Sequence, residues 1–122
     1  MKTVLIVEDE LALQNILKDE LTKAGLNVLT AKNGVEGLSV ALKEKPNLLL
    51  VDIIMPKMDG ITMLKKLRED KQGSKLPVMI LSNLSDPDSI SAALDNKAFD
   101  YFVKSELELN ELVEKIKTRL EI

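Results

Sequence analysis

The 122-residue chain contains no cysteine, no histidine and no tryptophan. Lack of cysteine excludes disulfides, thiolate catalysis and cysteine–zinc centres. Lack of histidine removes the usual general base at neutral pH and the commonest transition-metal ligand. Any metal would have to be a hard cation held by oxygen atoms. Aromatic residues are scarce, with one Tyr and two Phe, so Leu, Ile, Val, Ala and Met must build the core. Long apolar runs are missing too. The N-terminus passes from Met1-Lys2-Thr3 into a short aliphatic stretch broken by Glu8-Asp9-Glu10, which is neither a signal peptide nor a membrane span. A net charge of −3 disfavours direct nucleic-acid binding. The expectation is a cytoplasmic protein that binds neither membrane nor nucleic acid.

What is present is a single domain over residues 1–122, with no linker or low-complexity segment. A chain of this length buries roughly two-thirds of its unfolded surface. Four consecutive aliphatics, Leu48-Leu49-Leu50-Val51, predict a strand buried on both faces, as at the centre of a parallel sheet. Val4–Val7, Asn27–Ala31, Val78–Leu81 and Phe99–Val103 predict four more strands. Helical spacing of apolar residues follows each of them. Leu13, Ile16, Leu17, Leu21 and Ala24 come first, behind an acidic opening at Glu8-Asp9-Glu10 and ahead of a C-terminal Gly25. Asn33 and Glu36 predict a capping box for a helix carrying Val35, Leu38, Ala41 and Leu42. Asp59-Gly60 opens a third helix with Ile61, Leu64 and Leu67 inward, and Asp86-Pro87 opens a fourth with Ile90, Ala93 and Leu94. Leu109, Leu112, Val113, Ile116 and Leu120 mark the last. Strict strand–helix alternation predicts an α/β fold, a parallel sheet with helices on both faces.

The polar residues fall at the strand ends. Glu8-Asp9 follows the first strand, Asp52 the third, Ser82 the fourth and Lys104 the fifth. In a parallel sheet these ends share one edge, where ligands bind in open α/β folds. Singly, each residue has a plain structural reading: an acid at a helix start, a turn aspartate, a loop serine, a strand-end lysine. Tyr101 by itself reads more readily as core or interface packing. Together they suggest chemistry. Clustered carboxylates repel unless a cation joins them, and Mg²⁺ suits oxygen donors and phosphate. Asp52 could then attack a phosphoryl group to give an acyl phosphate, with Lys104 and Mg²⁺ neutralising its oxygens and Ser82 donating a hydrogen bond.

Glu8-Asp9, the loop Asp52-Ile53-Ile54-Met55-Pro56-Lys57-Met58-Asp59-Gly60, Ser82 and Tyr101-Phe102-Val103-Lys104 resemble the receiver domains of two-component response regulators, along the whole chain. The Asp-to-Gly loop is the most specific of these motifs. The resemblance implies a flavodoxin-like doubly wound (βα)5 fold, strand order 2-1-3-4-5. It implies phosphorylation of Asp52 by a histidine kinase or phosphotransfer protein. It also implies Mg²⁺ bound by Asp9, Asp52 and the backbone carbonyl of Ile54, with Glu8 acting through water. Ser82 and Tyr101 match a switch pair that remodels the surface of helix four, strand five and helix five for an unidentified downstream protein or effector domain. One departure stands out: the family usually has proline after the lysine, joined by a cis bond, where Ser105 stands here. A cis bond before a non-proline costs about 2.5–4 kcal/mol, so a trans bond is expected, and Ser105 and Glu108 fit a capping box that lets the last helix or a preceding turn begin early. The resulting expectation is a phosphorylation-controlled signalling module, not an enzyme on an external substrate. Two other classes compete. A receiver-like interaction domain that is never phosphorylated has no physical need for the clustered acids. A Mg²⁺-dependent phosphohydrolase needs a second acid or base and a substrate pocket, which the short loops do not suggest.

Overall fold

A computed structural model describes all 122 residues. Five strands, β1 (Thr3–Val7), β2 (Asn27–Ala31), β3 (Leu48–Val51), β4 (Val78–Ser82) and β5 (Asp100–Val103), form one parallel sheet in the order β2-β1-β3-β4-β5. Helices α1 (Leu11–Lys23), α2 (Gly34–Glu44), α3 (Gly60–Glu69), α4 (Pro87–Asp95) and α5 (Leu109–Leu120) alternate with them. The expected fold class and strand order are both present.

Strand alternation divides the core in two. Leu5, Val7, Leu49, Val51, Val78 and Ile80 face a cluster that includes Ala41 of α2, Met63, Leu64 and Leu67 of α3, and Ala93 of α4. Val4, Ile6, Leu48, Leu50, Met79 and Leu81 face Leu17 and Leu21 of α1 and Leu112, Ile116 and Leu120 of α5. All four residues of β3 are buried, because helices cover both of its faces. α4 is the least anchored helix: it buries only Ala93, and Leu94 is 51% exposed.

Local differences from the sequence expectations have local causes. Glu8-Asp9-Glu10 does not form the first turn of a helix; α1 starts at Leu11, and Glu10 occupies its cap without a side-chain cap bond. The Glu8 carboxylate instead accepts from the Glu10 backbone N–H at 3.0 Å. Ile16 and Val35, expected on inner faces, are about half exposed, whereas Met63 is buried. Asn33 caps α2 through the Glu36 N–H at 2.8 Å, and Asp86 caps α4 through the Ser89 N–H at 3.0 Å. The Lys104–Ser105 bond is trans, as are all others. Ser105 does not cap α5. Residues Lys104–Glu106 form a separate 3-10 turn, and α5 begins only at Leu109, with Glu108 at its cap and no side-chain bond there.

Candidate functional site

The site forms because strand register carries distant residues to the same end of the sheet. Val7 pairs with Val51 and Ser82 with Val103, so Glu8, Asp52 and Lys104 each continue one step beyond a paired strand end. The Asp52 N–H donates to the Val7 carbonyl at 3.0 Å. Gln14, which sequence reasoning passed over, is buried and donates through Nε2 to the carbonyls of Glu8 at 3.0 Å and Ala31 at 3.2 Å. It ties α1 to the ends of β1 and β2. A polar residue at an otherwise inward helix position was the available signal.

Lys104 is the centre of the charge cluster. Its Nζ lies 2.8 Å from Glu8 Oε1, 2.7 Å from Glu10 Oε1 and 3.0 Å from Asp52 Oδ2. Glu8 and Asp52 are buried, while the Glu10 side chain is 60% exposed. Burial pushes the Glu8 carboxyl up from 4.5 to about 7; the Lys104 ammonium and the Glu10 N–H oppose that rise, and the Asp52 charge adds to it. Burial would lower the Lys104 ammonium, but its hydrogen bonds to Glu10, Glu8 and Asp52 outweigh burial and hold it above its ordinary value. One ammonium thus balances three carboxylates, and the balance is incomplete.

A cation can complete it. Ligand oxygens of Glu8, Glu10 and Asp52 all lie within 4.8 Å of one another. The donor set is all oxygen, which suits a hard divalent ion such as Mg²⁺. The Ile54 carbonyl, expected as a backbone ligand, accepts no hydrogen bond within the chain. Asp9 is exposed and lies outside this group of three, in which Glu10 takes the third place. Burial ends where the chain leaves the sheet: Val4 to Glu8 are buried, and Asp9 and Glu10 are exposed.

The loop after β3 is built tightly around Asp52. Asp52 Oδ1 accepts from the Ile53 N–H at 2.7 Å, and the Gly60 N–H donates to the Ile53 carbonyl at 2.8 Å. A Cβ on Gly60 would stand 2.1 Å from the Asp52 carbonyl oxygen, so only glycine permits this closure. Lys57 takes a left-handed φ of 68°, and Asp59 caps α3 through the Thr62 N–H at 2.9 Å. Burial works against ionisation of Asp59, but the bonds from Thr62 prevail and hold its carboxyl below 3.8.

On the opposite side, Ser82 is fully buried and its hydroxyl oxygen accepts from the Leu84 N–H at 3.2 Å. That bond does not use the Ser82 hydrogen, which has the Tyr101 hydroxyl beside it. The half-buried Tyr101 donates its hydroxyl to the Leu84 carbonyl. Burial raises the Tyr101 phenol above its ordinary value, against the influence of the nearby Ser82 hydroxyl. Ser82 and Tyr101 are therefore both tied to Leu84, one through its N–H and the other through its carbonyl.

Residues 4–117 match the family described as the response regulator receiver domain. The chain is similar to the probable C4-dicarboxylate response regulator DctR of Bacillus subtilis, 40% identical over 103 residues, covering 83% of this chain and 45% of that protein. It is also similar to the alkaline phosphatase synthesis transcriptional regulatory protein PhoP of the same organism, 36% identical over 123 residues and covering 99% and 50% of the two chains. The chain thus spans about half the length of these relatives. Among solved structures it resembles a putative response regulator from Chloroflexus aurantiacus, TM-score 0.90 and 32% identity, covering 99% of this chain and 98% of that one. A receiver domain protein from Methanospirillum hungatei gives a TM-score of 0.92 at 29% identity, with 99% and 94% covered.

Proposed function

The chain belongs to the response regulator receiver domain family of two-component signalling, and on that premise we propose that Asp52 is its phosphoryl acceptor. The proposed donor is a histidine kinase or phosphotransfer protein. The observation that carries this reading is the Asp52 carboxylate, buried at the sheet edge yet 3.0 Å from the Lys104 ammonium and beside Glu8.

In the proposed transfer, an Asp52 carboxylate oxygen forms the new bond to phosphorus as the bond to the donor nitrogen breaks. The leaving imidazole keeps the electron pair. Lys104 shifts part of its charge from the carboxylates to the incoming phosphoryl oxygens, and Ser82 supplies the hydroxyl hydrogen that Leu84 does not use. We assign the Mg²⁺ set to Asp9, Asp52 and the Ile54 carbonyl, with Glu8 through water. The unpartnered Ile54 carbonyl supports this assignment, which requires the exposed Asp9 side chain to turn inward. Bound there, Mg²⁺ would neutralise charge on the phosphoryl oxygens.

Ser82 and Tyr101 are proposed to carry the signal. If Ser82 turns toward the phosphoryl group, its bond to the Leu84 N–H is lost, and the start of α4 loses one of its ties to β4. The small buried face of α4 makes this helix the readiest to move. The output is then a changed α4–β5–α5 surface presented to a downstream protein or to an effector domain, within the cytoplasm. Residues 1–122 are read as one receiver unit that acts by contact and turns over no external substrate.

Incubation with a small-molecule phosphodonor and Mg²⁺, followed by intact-mass measurement, tests the reading. One phosphoryl adduct is expected on the native chain and none on Asp52→Asn. An unmodified native chain, or an equal adduct on both, would sink the assignment of Asp52.

A further inference from the structure

The edge of the sheet away from Asp52 carries its own charged feature. Behind Pro77 and Phe99, which precede β4 and β5, lies a hollow of about 230 Å³. Arg68, Lys75, Lys97 and Arg119 line it, and no Asp or Glu does. The whole chain has 20 acidic and 17 basic residues, so four cations without one acid is a local excess. None of the four is within ion-pair distance of a carboxylate.

The plain explanation is helix-end neutralisation. Arg68 and Arg119 occupy the last turns of α3 and α5, and Lys97 follows the end of α4. Each helix C-terminus carries roughly half a negative charge, so three ends offset about 1.5 of the four positive charges. A surplus of more than two remains.

Two of the cations are held in place. Arg68 donates from Nε to the Asn96 carbonyl at 2.9 Å, from Nη1 to Leu76 at 2.7 Å and Gly73 at 3.0 Å, and from Nη2 to Lys97 at 3.0 Å. It joins the α3–β4 loop to the α4–β5 turn, and one Nη2 hydrogen has no acceptor in the chain. The Arg119 guanidinium lies 4.7 Å from the centre of the Phe99 ring, which fixes it as one wall. Phe99 and Arg119 also line a neighbouring hollow, which carries Asp100, Glu111, Glu114 and Lys115.

From the size of this open hollow, the cations without carboxylate partners and the anchored Arg68 guanidinium, we propose that it binds a compact polyphosphate anion, either inorganic pyrophosphate or the phosphate end of a nucleotide. The volume is below the roughly 300–1,000 Å³ of pockets that enclose a drug-sized ligand, so the site takes the phosphates and leaves any nucleoside outside. Bound anion would bridge the α3–β4 loop, the α4–β5 turn and the end of α5.

Amide NMR titration in EDTA tests this, with pyrophosphate in one arm, ATP in another and sodium chloride at matched ionic strength as reference. Saturable shifts are expected at residues 73–76, 96–99 and 119. They should weaken about tenfold or more in Lys75→Gln/Lys97→Gln, whose exposed side chains make no hydrogen bond in the fold, and persist in Asp52→Asn. Equal shifts with both ligands identify the phosphates as the whole recognition element; tighter binding of ATP identifies the nucleotide as the source. Shifts that follow ionic strength alone, or that are unchanged in the double variant, overturn the proposal.

Discussion

Replacing Glu8 by glutamine should make the protein less sensitive to pH while weakening its hold on divalent cations. Glu8 is 2% exposed and shares one ammonium with Glu10 and Asp52. Its carboxyl rises from 4.5 to about 7 on folding. The folded state therefore binds more protons than the unfolded chain between these values, and stability falls as pH climbs through that window. At about 1.4 kcal/mol per tenfold change in acidity, the full rise corresponds to roughly 3 kcal/mol. Glu10 and Asp52 bond the same lysine, so about 1–3 kcal/mol is expected for Glu8 itself. Urea unfolding in EDTA at pH 5 and pH 8 measures it. The native chain should lose about 1–3 kcal/mol more over this range than Glu8→Gln. Excess Mg²⁺ at pH 8 should restore about 2–3 kcal/mol to the native chain if it exceeds its dissociation constant about 100-fold, and less to the variant. Identical pH slopes for the two proteins would refute the reasoning, because the buried charge would then cost nothing.

Lys104→Met removes the only cation bonded to Glu8, Glu10 and Asp52; Mg²⁺ should bind more tightly by calorimetry, while phosphodonor labelling slows about 10- to 100-fold, matching a charged hydrogen bond of about 1.5–3 kcal/mol. Gly60→Ala drives a Cβ to 2.1 Å from the Asp52 carbonyl oxygen and should cost about 3 kcal/mol or prevent folding, read by thermal unfolding. Asp59→Ala loses the cap on α3 and should cost about 1 kcal/mol in urea unfolding. That cap contribution is present above pH 3.8 and fades as pH falls through the lowered folded value, so the native and variant curves should converge in acid.

Much of the fold was legible because it depends on short-range pattern. Four consecutive aliphatics at Leu48–Val51 can be buried only if both sheet faces are covered, and both are. Asp59-Gly60 and Asp86-Pro87 mark helix starts because capping is settled within three or four residues. Where a position is decided by what packs across from it, pattern was insufficient. Ile16 fits the inner face of α1 by spacing, yet Gln14 is buried and Ile16 is not, since the Gln14 amide donates there to the carbonyls of Glu8 and Ala31. Ser105 and Glu108 have capping-box spacing, but the 3-10 turn at Lys104–Glu106 intervenes.

The same division holds at the site. The chain alone determined which chemistry was possible: without His or Cys, only oxygen ligands, a carboxylate acceptor and a lysine were available. It also supplied the residues, Glu8, Asp9, Asp52, Ser82, Tyr101 and Lys104. Their arrangement was a tertiary matter. Glu10 lies 94 positions from Lys104 in sequence and 2.7 Å from it in space, and nothing local distinguishes it from the exposed Asp9. That choice depends on where β1 ends against β3 and where β5 delivers its lysine. The Glu8 carboxyl near 7 has the same origin: a carboxylate acquires such a value only when other elements remove its water and place another charge beside it.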